Sequence, residues 1–187
     1  IEFVADYLSD RGATTRLIPS ADGAKANLFC TIGPDIPGGV VLSGHSDVVP
    51  VDGQDWSTDP FTLTEANGKL YGRGSADMKG FIACTLAMTT RFTEMDLNRP
   101  LHFAFSYDEE IGCLGVGRLI DVIRSELPRP AAVIVGEPTG MQIATAHKGI
   151  CAMTTTVRGR EAHSSRPQDG VNAIDAAASL VSYLYRL

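Results

Sequence analysis

The stretch Gly-Val-Val-Leu-Ser-Gly-His-Ser-Asp, residues 39–47, joins a short apolar run to a polar end. The run lacks polar alternation and is flanked by glycine, which is typical of a strand buried on both faces. Such strands belong to parallel sheets that are covered by helices. His45 and Asp47 follow this strand directly, at the edge where ligands bind in open α/β sheets. The stretch therefore predicts an α/β domain with functional residues beyond a strand end.

Two further apolar segments repeat this arrangement, and each runs into acidic residues. LHFAFSY (101–107) precedes Asp-Glu-Glu (108–110), and AAVIVG (131–136) precedes Glu137. Because the carboxyl ends of parallel strands meet at the same edge of a sheet, we expect these acids to lie near His45.

A fourth candidate, Asp77, lies in a glycine-rich loop (71–80) just before a predicted helix. Several carboxylates on one edge raise one another's pKa, whereas a divalent cation neutralises them. Histidine combined with carboxylates suits zinc, cobalt or manganese. A single acid after a strand is more often a helix cap or a solvated loop residue, but four such sites on one edge favour a metal centre.

Alternating strands and helices support the α/β class with a mostly parallel central sheet. Strands are predicted at 14–19, 26–32, 39–43, 61–64, 69–71, 101–107 and 131–135, the last as a second buried strand, and helical stripes occur at 1–8, 81–92, 116–123 and 171–184. Two more strands are predicted at 143–146 and 151–157. From about Gly149 the pattern favours a separate, more antiparallel α+β piece.

Composition and charge exclude several classes of protein. The 187 residues are 44% hydrophobic and 20% charged, which excludes disordered, collagen-like and coiled-coil chains. The formal charge of −6 disfavours nucleic acid and anionic membranes as partners. No apolar run approaches the roughly 20 residues that span a bilayer. Four scattered cysteines without a CxxC pair favour reduced thiols and a cytoplasmic location over disulfides.

Taken together, the motifs resemble the aminoacylase/carboxypeptidase group of co-catalytic zinc hydrolases over nearly the whole chain. The motifs, in the order found in that group, are GHSDVVP (44–50), YGRGSADMKG (71–80), DEE (108–110) and GEPT (136–139). Three later segments most resemble the acetylornithine deacetylase branch of the group: AHKG (146–149), HSSRP (163–167) and GVNAI (170–174). Desuccinylases share the metal motifs but typically differ in these later segments.

The resemblance implies a metal-dependent amide hydrolase that removes the acetyl group from N2-acetylornithine. Desuccinylation, dipeptide cleavage or hydrolysis of another N-acyl amino acid are the alternative activities. A non-catalytic scaffold homologue is a further alternative. Glu109 argues against the scaffold, because metal binding alone does not require a general base.

The resemblance also implies a ligand set for two divalent metals, zinc or alternatively cobalt. His45 and Glu137 would bind the first metal, Asp77 would bridge both metals, and Glu110 would bind the second. The peptide bond after Asp77 is expected to be cis.

Three further residues receive roles from the same resemblance. Glu109 would be the general base, and the Asp47 carboxylate would hydrogen-bond the imidazole of His45 and fix its tautomer. His163 would reach the reaction's oxyanion from the smaller domain of a partner subunit, and its alternative is a surface loop histidine. Asp108 is expected to be a structural acid.

The implied architecture is a zinc-aminopeptidase-like catalytic domain, incomplete, at 1–148, followed by the beginning of an α+β dimerisation (lid) domain at 149–187. A homodimer is therefore expected.

One expected ligand is missing from this sequence. The second metal of the group has a further histidine near the carboxyl end of the whole protein. None of His45, His102, His147 and His163 fits that motif. We expect the sequence to be part of a longer protein, inactive alone, that binds the first metal more readily than the second. His102 lies within a strand and is interpreted as structural. For His147 two interpretations are kept, a domain hinge and a substrate-facing position.

Overall fold

The apolar run at 39–43 forms an inner strand of a five-stranded sheet in the computed structural model, which describes residues 1–127 and 129–187. The strands are β1 (Thr14–Pro19), β2 (Ala26–Ile32), β3 (Val40–His45), β4 (Thr64–Ala66), β5 (Lys69–Tyr71), β6 (Leu101–Ser106) and β7 (Ala132–Val135). The order across the main sheet is β1-β2-β6-β3-β7, and β4 and β5 form a separate hairpin.

The directions of the strands confirm the predicted fold class. Strands β6, β3 and β7 are parallel neighbours, whereas β2 pairs antiparallel with both β1 and β6. Four strands (β1, β3, β6 and β7) therefore run in one direction and only β2 runs against them. The three parallel neighbours, β3, β6 and β7, are the strands that lead to His45, Glu109 and Glu137.

Three helices cover the two faces of the sheet: α1 (Glu2–Ser9), α2 (Gly80–Thr93) and α3 (Val116–Glu126). A fourth helix, α4 (Ala173–Leu184), lies later in the chain and does not belong to this unit. Under α1 and α2 the core contains Leu8, Leu28, Ile82, Phe103 and Phe105. On the opposite face, next to α3, it contains Ile18, Phe29, Val41, Ala104 and Leu119. Burying each Phe or Leu contributes about 1.5–3 kcal/mol, so these two clusters fix the sheet that holds the site.

The hairpin has the predicted turn but starts later than predicted. Asn67 and Gly68 both have positive φ, 52° and 69°, as a type I′ turn requires. This turn pairs Ala66 with Lys69, so the first strand is Thr64–Ala66 rather than 61–64.

The segment predicted at 131–135 does form a strand, Ala132–Val135, but the prediction that this strand is buried is wrong. Val133, Ile134 and Val135 are between 54% and 57% exposed. Strand β7 is the edge of the sheet, and within the described residues it pairs with β3 alone. Its apolar sequence favours burial, but burial also requires a covering element.

The chain divides into two compact units, Ile1–Ile143 and Ala144–Leu187. The sequence analysis predicted the boundary between residues 148 and 149. The catalytic role of the first part and the dimerisation role of the second remain predictions. The strands predicted at 143–146 and 151–157 are wrong, because a strand needs a pairing partner. The second unit, whose residues are all described, has one isolated bridge between Arg160 and Val171 together with helix α4.

None of the helices in the described part of the chain is long and apolar enough to cross a membrane.

Candidate metal centre

The carboxyl ends of β6, β3 and β7 lie side by side because the three strands are parallel neighbours. Ser43 of β3 pairs with Ala104 on one side and with Val135 on the other. The segments that follow these strands therefore leave the sheet at one edge. His45 ends β3, and Glu137 lies two residues beyond the end of β7.

His45 is held in one orientation at this edge. Its side chain is 2% exposed, and its backbone N–H donates to the sulfur of Met78 at 3.2 Å. The ring Nδ1 lies 3.1 Å from the backbone carbonyl oxygen of Asp47. Because a carbonyl oxygen can only accept, Nδ1 carries the proton and Nε2 offers its lone pair. The imidazole is thereby prepared to act as a ligand through Nε2.

Asp77 reaches His45 from the turn that precedes α2. This turn, Ser75–Lys79, contains the cis peptide bond Asp77–Met78 that the resemblance implied. Met78 is completely buried below it. The carboxylate Oδ1 of Asp77 lies 3.1 Å from Nε2 of His45.

Glu137 and Glu109 approach the same ring nitrogen. Nε2 of His45 lies 3.8 Å from Oε1 of Glu137 and 3.7 Å from Oε2 of Glu109. The potential ligand atoms of His45, Asp77 and Glu137 all lie within 4.8 Å of one another. Two ligands that each sit 2.1 Å from a tetrahedral zinc are about 3.4 Å apart. The spacing and the chemistry of these three side chains fit one divalent cation.

The charges around His45 favour a cation. Burial alone would lower the pKa of His45. The hydrogen bond that the protonated ring donates to Asp77 and the charge of Glu109 outweigh burial and raise the pKa. The pKa of Glu137 is raised by burial first and next by the charge of Asp77. Three carboxylates surround one buried imidazole, and a divalent cation would offset their repulsion.

Gly136 allows β7 and α2 to approach closely enough to bring Glu137 to the site. A Cβ atom on Gly136 would lie 2.1 Å from a ring carbon of Phe81, at the start of α2. Only glycine fits this contact.

The carboxylate of Asp47 does not make the predicted hydrogen bond to the imidazole of His45. Its Oδ2 accepts a hydrogen bond from the backbone N–H of Glu110 at 3.1 Å. Its Oδ1 lies 3.5 Å from Nδ1 of His45 and is buried without a hydrogen-bond partner. The imidazole bonds instead to the Asp47 carbonyl oxygen, because the carboxylate is turned toward Glu110. Glu110 thus joins the centre through its backbone N–H, and its carboxylate is not in the three-residue ligand group.

The other three histidines are not in the three-residue ligand group. His163 belongs to the second unit, where its Nδ1 accepts from the backbone N–H of Ser165 at 3.3 Å. His147 is exposed in the same unit. His102 is fully buried in β6, with Nδ1 2.9 Å from the hydroxyl of Thr31, which agrees with its structural interpretation.

Sequence reasoning missed two residues beside the site. Lys25 contacts both carboxylate oxygens of Asp108, at 2.6 and 2.7 Å. Asn27 is fully buried in β2 and bonds to the loop that carries Glu109. A single amide inside the apolar strand ANLFCTI was the available signal, because buried polar groups require partners.

One histidine and two carboxylates from three separate segments meet at this edge of the sheet, and their spacing suits a divalent metal. The chain belongs to the peptidase family M20/M25/M40, whose model matches residues 41–184. This match confirms the resemblance that the four sequence motifs indicated.

Individual relatives agree with this family. Acetylornithine deacetylase from Pasteurella multocida (strain Pm70) is 39% identical over the whole of this chain, which covers 48% of that protein. The chain thus spans about half the length of the curated relatives it matches.

Two solved structures are similar in fold. Human carnosine dipeptidase 1 matches 72% of this chain and 31% of its own, with a TM-score of 0.61 and 29% identity. Aminopeptidase PepT from Bacillus cereus ATCC 10987 matches 97% of this chain and 49% of its own, with a TM-score of 0.64 and 19% identity. The second comparison supports the fold alone.

Proposed function

We propose that this chain forms the metal-binding part of an enzyme that hydrolyses N2-acetylornithine to ornithine and acetate, a step of arginine biosynthesis. The observation that carries the proposal is the group around Nε2 of His45, with three carboxylate oxygens between 3.1 and 3.8 Å from it. The choice of substrate is supported by the 39% identity to an acetylornithine deacetylase across the whole chain.

The proposed ligands of the first metal are His45, Asp77 and Glu137, the three side chains whose ligand atoms are grouped. Asp77 is also proposed to bridge to a second metal that Glu110 binds. Zinc fits this donor set, and cobalt is the alternative. When bound, two such ions lower the pKa of a water and stabilise negative charge on the amide oxygen.

Glu109 is the proposed general base. Its carboxylate lies 3.7 Å from Nε2 of His45, so it faces the ligand group without replacing one of the three ligands. In this role it accepts a proton from the attacking water and then gives it to the leaving amine of the substrate. Asp47 contacts both a proposed ligand and the segment that carries Glu109. Its backbone carbonyl orients the His45 ring, and its carboxylate accepts a hydrogen bond from the N–H of Glu110.

His163 is proposed to donate a hydrogen bond to the developing oxyanion from a partner subunit. The backbone N–H of Ser165 donates to Nδ1 of His163, so the ring proton is on Nε2 and is available for donation. Helix α4 of the same unit carries exposed apolar side chains, including Ile174 and Val181, which supports homodimerisation through this unit. Sedimentation of the full-length protein tests the dimer.

The two metals should bind unequally. This sequence supplies the three grouped ligands of the first metal, whereas the expected second histidine has no counterpart among its four histidines. Titration of these 187 residues with zinc is expected to give one tight site. Two tight sites would contradict the assignment of ligands.

The cytoplasmic location stays part of the proposal. It is supported by the sequence, whose four scattered cysteines without a CxxC pair favour reduced thiols.

The test of the activity uses the full-length protein loaded with zinc or with cobalt. N2-acetylornithine should be the preferred substrate over N-succinyl-diaminopimelate and a dipeptide, judged by kcat/KM. Glu109→Gln keeps the size of the side chain and removes the base, so it should lose at least about 100-fold in kcat while keeping its metal.

Each other result has a definite meaning. A higher kcat/KM on the succinyl substrate or on the dipeptide would contradict N2-acetylornithine as the substrate, while leaving the hydrolase activity in place. Unchanged activity in Glu109→Gln would remove Glu109 as the base. A metal-loaded protein without activity on any N-acyl amino acid or dipeptide would favour a scaffold.

A further inference from the structure

The loop between β6 and α3, residues 108–114, carries Glu109 and is folded tightly on itself. The carbonyl oxygen of Glu109 accepts from the N–H groups of Gly112 and Cys113, at 2.9 and 2.8 Å. The N–H of Leu114 donates to the carbonyl oxygen of Asp108 at 2.9 Å. Compact loops whose ends lie close together often carry functional side chains, which the scaffold around them positions.

The two ends of the loop are in direct contact. A Cβ atom on Gly115 would lie 2.1 Å from the carbonyl oxygen of Tyr107, so only glycine permits this approach. Asn27 joins the same two residues by hydrogen bonds. Its Oδ1 accepts from the N–H of Tyr107 at 3.3 Å, and its Nδ2 donates to the carbonyl oxygen of Gly115 at 2.9 Å.

Asn27 is well placed for this task because it is fixed by the sheet. It is 0% exposed and lies in β2, where it pairs with Ile18 of β1. Both halves of its amide are used by the loop, so neither is left unsatisfied in the core.

A second contact holds the start of the loop. Lys25, two residues before Asn27, binds both carboxylate oxygens of Asp108. Asp108 has a φ of 54°, in the left-handed region. The Lys25 pair therefore holds in place the residue directly before Glu109.

We infer that Asn27, assisted by Lys25, is a positioning residue for catalysis, which clamps the ends of the 108–114 loop and so fixes the carboxylate of Glu109. The inference rests on the proposed role of Glu109 as general base. Without the amide, the N–H of Tyr107 and the carbonyl of Gly115 lose their partners, and the loop opens. A displacement of about 1 Å can lower a rate about 100-fold.

The test uses full-length, metal-loaded protein and two variants of Asn27. Asn27→Leu removes both hydrogen bonds, whereas Asn27→Asp keeps the acceptor for Tyr107 and loses the donor to Gly115. Thr89→Val is the matched control, because Thr89 is equally buried but bonds within α2, to the carbonyl oxygen of Thr85. All variants are assayed well below their melting temperatures.

Two measurements separate positioning from general stability. Asn27→Leu should lower kcat by about 100-fold with KM changed less than about 3-fold, and Asn27→Asp by about 10-fold. Hydrogen exchange of a peptide covering residues 108–115 should accelerate at least about 10-fold in Asn27→Leu. Thr89→Val should change neither quantity, even where its melting temperature falls as much.

Lys25→Met gives a variant that does not disturb the core, since the Lys25 side chain is 52% exposed. It should lower kcat by about 3- to 10-fold, with faster exchange in the same peptide and an unchanged melting temperature. This variant keeps the inference testable if Asn27→Leu does not fold.

Unaltered exchange in both Asn27 variants would overturn the clamp. Faster exchange with unaltered kcat would overturn the positioning role. A wild-type protein inactive on every substrate would instead refute the proposed function. The exchange measurement does not use the reaction, so it would still support or overturn the clamp.

Discussion

The two units of the molecule hold their candidate functional histidines in different ways. His45, in the first unit, is 2% exposed and contacts Met78 and Asp77, which lie more than 30 residues away in sequence. His163, in the second unit, is exposed and its ring bonds to Ser165, two residues further along the chain. In the proposed function the first unit binds the metal through His45, and the second acts on bound substrate through His163. The variants below test this division of roles.

The strongest test of this comparison is His45→Ala. Removing a direct ligand should lower metal affinity by more than the about 10- to 100-fold typical of supporting residues. Activity should fall at least about 1,000-fold. Metal content after dialysis and competition with a chelator measure the affinity. Stoichiometric metal in the variant would show that His45 is not a ligand, and the first unit would then lose its proposed role.

His163→Ala tests the other side of the comparison. Loss of a donor to the oxyanion should lower kcat by about 100- to 1,000-fold. Metal affinity should stay unchanged, in contrast to His45→Ala. Gln168→Ala is the control, because Gln168 is exposed in the short 3-10 helix Pro167–Asp169 of the same unit. If metal is lost from His163→Ala, or if its kcat is retained, the division of roles between the units is wrong.

The sequence predicted the first unit better than the second, for a physical reason. Strands β1 and β2 have the predicted bounds, because they pair with each other along their length and β2 packs in the clusters on both faces of the sheet. The segment at 151–157 has an equally regular pattern but forms no strand in the described structure, because it pairs with no other segment. Periodicity indicates which faces can be buried, and a partner decides whether they are.

The grouping of three candidate ligands could be predicted from the sequence, but the residues that support them could not. His45 ends an apolar strand, Glu137 follows another, and Asp77 lies in a glycine-rich loop, so local sequence marks all three. Asn27 is one buried amide in a strand, and its loop contacts lie about 80 residues away, so no local pattern identifies them. Supports of this kind depend on tertiary structure.

A subtler test concerns the packing that brings Glu137 to His45. In Gly136→Ala, the new Cβ would lie 2.1 Å from the Phe81 ring, so β7 and α2 must separate. Metal affinity should fall by about 10- to 100-fold, as for other residues that support ligands. Isothermal titration with zinc measures this change.

Gly117→Ala is the matched control for that substitution. Apart from the adjoining residues and backbone of its own helix α3, no atom lies within 4 Å of a Cβ at Gly117. Alanine there should leave metal affinity unchanged and stabilise the protein by up to about 1 kcal/mol. Equal metal affinity in both alanine variants would mean that the first unit does not hold Glu137 by packing.

The smallest expected effect concerns His102, which is as buried as His45 and is interpreted as structural. Burial lowers its pKa below the ordinary value of 6.5. Below pH 6.5 the imidazole of His102 is protonated more readily in the unfolded chain than in the folded chain. The free energy of unfolding therefore falls as the pH decreases below 6.5. The contribution is at most about 1.4 kcal/mol per pH unit. Urea unfolding between pH 5 and 8 measures it.

His102→Asn should be less stable than wild type at neutral pH but should lose this part of the acid sensitivity. Asparagine keeps a polar atom near the hydroxyl of Thr31, which His102 Nδ1 contacts at 2.9 Å, and it does not titrate. Thr89→Val, which removes another buried hydrogen bond and no titrating group, should lower stability equally at every pH. An unchanged acid slope in His102→Asn would mean that the acid sensitivity of the first unit comes from the metal centre and not from its core.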